Sequence, residues 1–534
     1  MRKMATGGLA RWRGGLAGGL LLCVALAVPV RGDGLADAIR RHLETQTQAT
    51  ALNEAVADFY RLRDNRPAWN DPARVRALTA ALESLADDGL TPSDYDVAAL
   101  AQGSPPESED DAAAFDLRAT RACLLALAHL YWGKVDPRSL DPKWSFEPRG
   151  LNRADALARI SADIDADRIA PMFDAARPAN SIYARLRAVL AQYRRWQASG
   201  GWPQIPPGPA LKPGASDPRV AVLRRRLAAV GAVPAEAVDA EVYDPALVAA
   251  VKDYQRAQYL PATGIVDAAT RASLNVPIEQ RIDQLRVNLE RARWLLDWLK
   301  GEFVLVDIAG YRIIYYRDGQ PLWRSRVQVG RPYRRTPLFH SEIREVEFNP
   351  TWTVPPTILK NDILPKVRRN TSYLTRNHIR VFDAQGREVD PAAVNWHRPA
   401  GLTLRQDAGP DNALGRVALR FPNPYNVYLH DTPHQELFDA ARRNFSSGCI
   451  RVERVMELVE LLFADPAHWN REAIDRILAT QKTQVVKLPH PVPLIVQYWT
   501  VNLLPDGGVA FKPDVYGRDP PLLAALDRPT DARE

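Results

Sequence analysis

Cys449 follows Ser446-Ser447-Gly448 and stands 19 residues after His430, and a thiol with an imidazole in reach is the minimum equipment for nucleophilic acyl transfer. The thiolate is the attacking species; a free cysteine titrates near about 8.5 and a histidine near about 6.5, so an imidazole can take and return the proton close to neutral pH. The stretch NVYLH, Asn426 to His430, alternates as a strand does, which puts Tyr428 and His430 on one face. After the cysteine, Ile450, Val455, Met456, Val459 and Leu462 recur at helical spacing, predicting that Ser446 to Cys449 form a turn at a helix N-terminus. Such a terminus favours the thiolate, and outward amides in the turn would hold an oxyanion, worth about 3–4 kcal/mol per donor. Gly448 has no Cβ and lets an acyl group come close to the backbone. Cys449 and His430 are therefore the candidate catalytic pair, with Gly448, Ser447 and Ser446 as oxyanion and supporting residues. Arg451 would orient a substrate carboxylate or brace the loop; Tyr428, Tyr425 and Trp352 are candidate pocket walls, with Asn423 and Arg331 behind them.

Two other chemistries meet obstacles in the same stretch. His430 and His434 have metal-ligand spacing only on a helix, and Pro433 together with the strand pattern argues against one, so no metal is assigned. A papain-like peptidase carries its cysteine first and its histidine far downstream, the reverse of the order here. The net charge of +7 and the 43 prolines fit an anionic partner and ordered loops. The basic residues are scattered, however, without zinc-ligand spacing, an RNA-recognition pattern or an aromatic-interleaved stripe, which argues against nucleic acid.

The elements that must position this pair belong to a chain of 534 residues, too long for one core and suited to two to four domains. MRKMATGGLARWRGG followed by LAGGLLLCVALAVPV reads as a secretory leader over residues 1–32, with cleavage after Ala27 or Gly32; Cys23, after Leu22, is poorly placed for lipid attachment. Removing the leader leaves Cys123 and Cys449, too few for a disulfide framework; the plain reading is one disulfide between them or two inert core thiols, and Cys123 in RACLLALAHLYW reads as a buried structural cysteine. Ala/Leu/Arg-rich helical periodicity fills residues 33–210, and the Pro-Gly-rich stretch Gly200 to Ser216 reads as a linker. Residues 211–276 form a small helical module, and 277–301 a long amphipathic helix that stops at Gly301. Strand patterns such as FVLVDI and YRIIYY then open a β-rich domain over 302–520, with an insertion at about 361–412 that reads as a lid, and a tail over 521–534.

Two resemblances follow from these residues. Tyr254-Gln255, Gly264 to Asp267 and Thr270 to Asn275 resemble the three-helix peptidoglycan-binding module. The strand histidine, the gap and Ser-x-Gly-Cys-x-Arg (His430, Ser446, Gly448, Cys449, Arg451) resemble the catalytic motif of the L,D-transpeptidases. VGRPYRRTP (Val329 to Pro337), FNPTWTVPPTIL (Phe348 to Leu359), GPDNALG (Gly409 to Gly415) and NPYNVYLHDTP (Asn423 to Pro433) resemble its large periplasmic branch. That branch implies a multidomain α+β architecture: a helical scaffold, the binding module and a β-rich catalytic domain under a lid. Ser447 departs from the family, many members of which have His or Arg there.

The resemblance implies a periplasmic enzyme without a cofactor, on the membrane only if the leader is retained. Its partners would be peptidoglycan stem peptides, a tetrapeptide donor and a diaminopimelate acceptor, with other cell-wall synthases. Cys449 would attack a diaminopimelate carbonyl, release D-Ala and pass the acyl group to a second stem as a 3→3 cross-link. The same pair could instead run an L,D-carboxypeptidase or attach a protein to the wall, and a degenerate site would leave a wall-binding scaffold. The resemblance also implies carbapenem acylation: intact-mass analysis of the treated protein should show one adduct, lost in Cys449→Ala.

Overall fold

Short polar residues that accept a backbone hydrogen bond set where the helices begin. Asp71 before Pro72, Ser108 before Glu109, Asn152 before Arg153 and Asn180 before Ser181 each accept from the first turn that follows. The computed structural model describes residues 32–46, 48–102, 107–234, 240–504 and 507–530, so the basic start and apolar run of the expected leader lie outside the described residues. Among those described, no helix is long and apolar enough to cross a membrane.

Helices from Gly32 to Ala198 build the first unit, centred on Glu109–Trp132. Ile39, Phe59, Trp69, Leu82 and Leu127 are in its core, and Cys123 is buried there as a free thiol. The stretch read as a linker is instead packed. Trp202, Ile205 and Leu211 are buried, Ile205 and Leu211 join the core of the next module, and Leu211 bridges to Val266. Pro and Gly signalled an irregular path, but apolar residues between them tie it down.

The module consists of helices Pro218–Ala228, Pro245–Ala257 and Ala268–Leu274. Its motif residues are structural. The Gln255 side chain accepts from Gly264 N at 2.8 Å and donates to Ile265 O at 2.9 Å and Thr270 Oγ1 at 3.0 Å, which locks the Gly-x-x-Asp turn onto the preceding helix. Asn275 closes the far end by bonding both ways to the Ile205 backbone.

The helix Ile278–Leu295 then runs between the units and carries polar side chains into the interior on both sides. Asn288 exchanges hydrogen bonds with Thr500, and Arg291 pairs with Asp519 at 2.7 Å. Facing the first unit, Glu290 accepts from Val135 N, while Arg293 donates to Asp88 O and the Tyr183 hydroxyl. A buried charge is tolerated only when so paired.

Downstream come β1 (Phe303–Asp307), β2 (Arg312–Arg317), β3 (Gln320–Gln328), β4 (Phe339–Phe348), β5 (Trp352–Thr353), β6 (Ile379–Phe382), β7 (Thr403–Gln406), β8 (Val417–Arg420), β9 (Leu429–His430), β10 (Ile450–Val452), β11 (Gln484–Gln497), β12 (Val501–Leu503) and β13 (Val509–Phe511). Eight of them close a barrel in the order β1-β11-β4-β8-β9-β10-β3-β2, which removes free sheet edges. The insertion is not a long loop. β5, β7 and β6 form a separate sheet, and Val354, Ile363, Val367, Leu374, Val381, Trp396 and Leu404 form a core of their own, so the folded unit begins near Trp352 rather than at 361. The expected tail also differs: Asp519–Leu526 is a helix whose Leu522 and Leu526 pack into the core of the first unit.

Replacing Gln255 by Ala leaves three hydrogen-bond partners unpaired, which should lower the module's opening free energy by about 2 kcal/mol. Amide hydrogen exchange should quicken at Val251 and Leu274 and stay unchanged in the barrel.

Candidate active site

Two very short strands carry the candidate pair. β9 and β10 run parallel, with Leu429 opposite Ile450 and His430 opposite Arg451. Because side chains alternate, Leu429 and Ile450, both fully buried, point into the barrel core, while His430, Cys449, Arg451 and Tyr428 share the other face. His430 and Cys449 are diagonal neighbours on that face. The expected helix N-terminus is absent: Cys449 leads into β10, and the helix Val455–Phe463 starts only after Arg454, whose φ is +52°. The helical spacing was real, but its first member, Ile450, belongs to the strand.

The turn before Cys449 is held from several sides. Ser446 N donates to Val329 O and Arg331 N to Ser446 O, both at 3.0 Å. The buried Ser446 hydroxyl donates to Cys449 O at 2.6 Å and accepts from Gly448 N at 3.1 Å. Thr336 Oγ1 donates to Gly448 O at 2.9 Å, and Tyr516 bonds Gly330 from the C-terminal segment. Gly448 has φ +121°, and a Cβ there would meet only Arg335 O at 3.8 Å; the space is open, and the backbone shape is what demands glycine. Since Gly448 N is spent on Ser446, it is not a free oxyanion donor, contrary to expectation. Among the described residues the amides of Ser447 and Cys449 remain without a partner.

His430 is buried, and its Nδ1–H donates to Asp431 O at 2.5 Å, which leaves Nε2 with the lone pair of the neutral ring. Burial, and then the Arg451 charge, push its pKa down to about 3. The Asp431 carboxylate accepts from Arg416 N at 3.0 Å and Gln435 Nε2 at 3.1 Å, which braces the residue whose carbonyl holds His430. The half-buried Cys449 donates its S–H to Asn426 O at 3.7 Å. Burial raises its pKa, against the smaller opposing effects of the Tyr428 amide, Arg451 and Arg420. At rest the pair is a neutral imidazole and a protonated thiol.

The remaining candidates divide. Arg451 Nη1 donates to Gln328 Oε1 at 3.1 Å on the neighbouring strand, and Tyr428 lies 4.1 Å beneath the Arg420 guanidinium. Both share the face of β9 and β10 that carries His430 and Cys449. Tyr425 does not: its ring packs on Phe339 and its hydroxyl donates to Lys143 O of the first unit. Trp352 packs on the insertion's own core. Asn423 braces its loop through Tyr425 N and Val427 N. Ser447, exposed, accepts from Arg334 Nη1 at 2.8 Å. Sequence reasoning passed over Arg334, Thr336 and Asp362, although VGRPYRRTP had marked the stretch that holds the first two. His434 is exposed beside Glu436, and no group of three or more His, Cys, Asp or Glu among the described residues is arranged to hold a metal. A cavity of about 500 Å³ lies beyond Asp431, lined by Arg416, Thr432, Arg454 and Met456, and Cys449 is not in its wall.

Residues 301–465 match the L,D-transpeptidase catalytic domain family, residues 216–274 the "Putative peptidoglycan binding domain" and residues 54–190 the scaffold domain. A Haemophilus influenzae protein named "Putative L,D-transpeptidase" is 36% identical over 245 residues, 45% of this chain and 49% of that protein. The chain thus spans about half the length of the curated relative it matches. Of solved structures, an L,D-transpeptidase from Mycobacterium smegmatis is 16% identical, with 37% of this chain and 58% of that one covered and a TM-score of 0.17. One from Xylanimonas cellulosilytica is 14% identical, with 55% and 99% covered and a TM-score of 0.18, and overlaps this slight bear no weight.

Because burial raises the Cys449 pKa, its alkylation by iodoacetamide at pH 7 should be slower than that of a free cysteine and should still be climbing past about pH 9. Intact mass read against pH checks this; a midpoint below about 8.5 would contradict it.

Proposed function

We propose that this chain, which joins an L,D-transpeptidase catalytic domain to peptidoglycan-binding and scaffold domains, is a peptidoglycan L,D-transpeptidase that works through a Cys449 thioester. The observation that carries this is the His430 Nδ1–H bond to Asp431 O, with Cys449 on the same face of β9 and β10: the ring is oriented and keeps Nε2 as a base.

As Sγ attacks the diaminopimelate carbonyl of a donor tetrapeptide, Nε2 takes the thiol proton. The oxyanion is held by the amides of Ser447 and Cys449. When it collapses, the C–N bond to D-Ala breaks, His430 gives its proton to the departing amine, and the thioester remains. A second stem's side-chain amine then attacks the thioester, loses a proton to His430, and leaves as the 3→3 cross-linked product while the thiol is reformed. Burial keeps His430 neutral at rest, so its ring is free to accept a proton, and the imidazolium formed in the first step is the acid for the leaving amine. A thiol that stays protonated at rest is less open to stray oxidants, because the thiolate is the form that reacts.

Cross-linking of this kind places the protein outside the cytoplasm, in line with the leader expected at residues 1–32, and the module over 216–274 would hold it on its polymer. Purified protein given diaminopimelate-containing disaccharide-tetrapeptides should form a 3→3 dimer detectable by mass spectrometry. Cys449→Ala should make none, and His430→Gln should be slower by a factor of about 10³ or more. Tripeptide without dimer would instead identify a carboxypeptidase.

A further inference from the structure

The Arg334 guanidinium makes two contacts that cross element boundaries. Its Nη1 donates to the Ser447 hydroxyl at 2.8 Å, two residues before the nucleophile, and it forms an ion pair with Asp362. Asp362 comes from the insertion, on the wide helical turn Leu359–Ile363, a geometry that is rare in proteins and frequent at functional sites. One ion pair therefore ties the insertion to the turn that carries Cys449.

The charge around this pair is unbalanced. Arg331 lies near enough to Arg451 to disfavour its charge, and Arg335 is exposed on the same loop. Among the described residues none of these three has a carboxylate partner, whereas Arg334 is paired with Asp362. The pair is only partly covered, with 16% of the Arg334 and 33% of the Asp362 side chain exposed, so another carboxylate has a path to the same nitrogens.

We infer that Arg334 is a carboxylate-binding subsite for the donor stem peptide, occupied at rest by Asp362 of the insertion and vacated when a stem carboxylate replaces it. The inference rests on the transpeptidase reading and adds to it which residue receives the donor. Exchange of one carboxylate for another on a guanidinium conserves the kind of bond made, so the net cost is small. The Ser447 hydroxyl stays on Arg334 throughout and keeps the bound carboxylate next to the thiol. Releasing Asp362 frees the insertion, which has its own core and can move as one body. A tetrapeptide stem offers this carboxylate at its C-terminal D-Ala, on its glutamyl unit or at the free end of diaminopimelate; the three sources share the chemistry and are separated by amidation.

The test uses the full chain carrying Cys449→Ala, so that binding is read without turnover. Dissociation constants are measured by calorimetry for a disaccharide-tetrapeptide with all three carboxylates free and for its three mono-amides. Adding Asp362→Asn should tighten the free peptide several-fold, because the internal competitor is gone. Adding Arg334→Gln should weaken it about tenfold and leave one mono-amide unaffected, and that amide identifies the carboxylate. A misfolded variant does not bind more tightly, so the gain in Asp362→Asn separates the subsite from general damage. Unchanged or weaker binding in Asp362→Asn would overturn the inference, as would equal weakening of all four peptides by Arg334→Gln. Failure of the unmutated enzyme to form a dimer, with these binding differences intact, would overturn the transpeptidase reading instead.

Discussion

The parallel pairing of β9 with β10 is the constraint on which the site depends. Two residues in one strand and three in the other decide which side chains face out, and a slip by one would turn His430 or Cys449 into the core. So short a ladder cannot hold its own register. It is held by its neighbours: His430 opposite Ala418 on β8, Arg451 opposite Gln328 on β3, and Leu429 and Ile450 in the apolar interior. The barrel therefore serves less as a container than as a frame that fixes one two-residue register.

The segments around this frame refine the chemistry. Gly415 has φ +65°, and a Cβ there would lie 2.4 Å from Cβ of Asp431, so the stretch ending GPDNALG is glycine where the chain presses against the residue whose carbonyl orients His430. Thr336 and Tyr516 bring the β3–β4 loop and the C-terminal segment against Gly448. The nucleophile itself lies in a segment with little regular structure, and packing from three directions makes it stiff.

Much of this was legible in the sequence because it was written in local terms. The strand at His430, the helical first unit, the small module and the switch to β structure after Gly301 each follow from periodicity within a dozen residues. The Gln255 and Asn275 motif was legible as a resemblance; the partners of Gln255 lie close in the chain, whereas Asn275 bonds Ile205, 70 positions away. What could not be read depended on distant partners. Ile450 continues a helical apolar spacing, and only its pairing with Leu429 makes it a strand residue, which removed the expected helix terminus at Cys449. Tyr425 looked like a pocket wall because it lies near His430 in the chain, whereas Lys143, 282 positions away, claims its hydroxyl. Ser446 illustrates the same limit at short range: its hydroxyl takes Gly448 N, and hydrogen-bond direction is not encoded in residue type. Composition misled at Gly200 to Ser216, where prolines and glycines suggested slack and the apolar residues among them produced a packed strap.

The helix Asp519–Leu526 returns to the core formed by the first helices. A ribosome or export channel delivers residues in order, so the core that begins first is completed last, after the module, the barrel and the insertion have all emerged. The earliest unit thus remains unsealed for most of the chain's delivery, and its closure, with Asp519 meeting Arg291, registers that everything between has arrived.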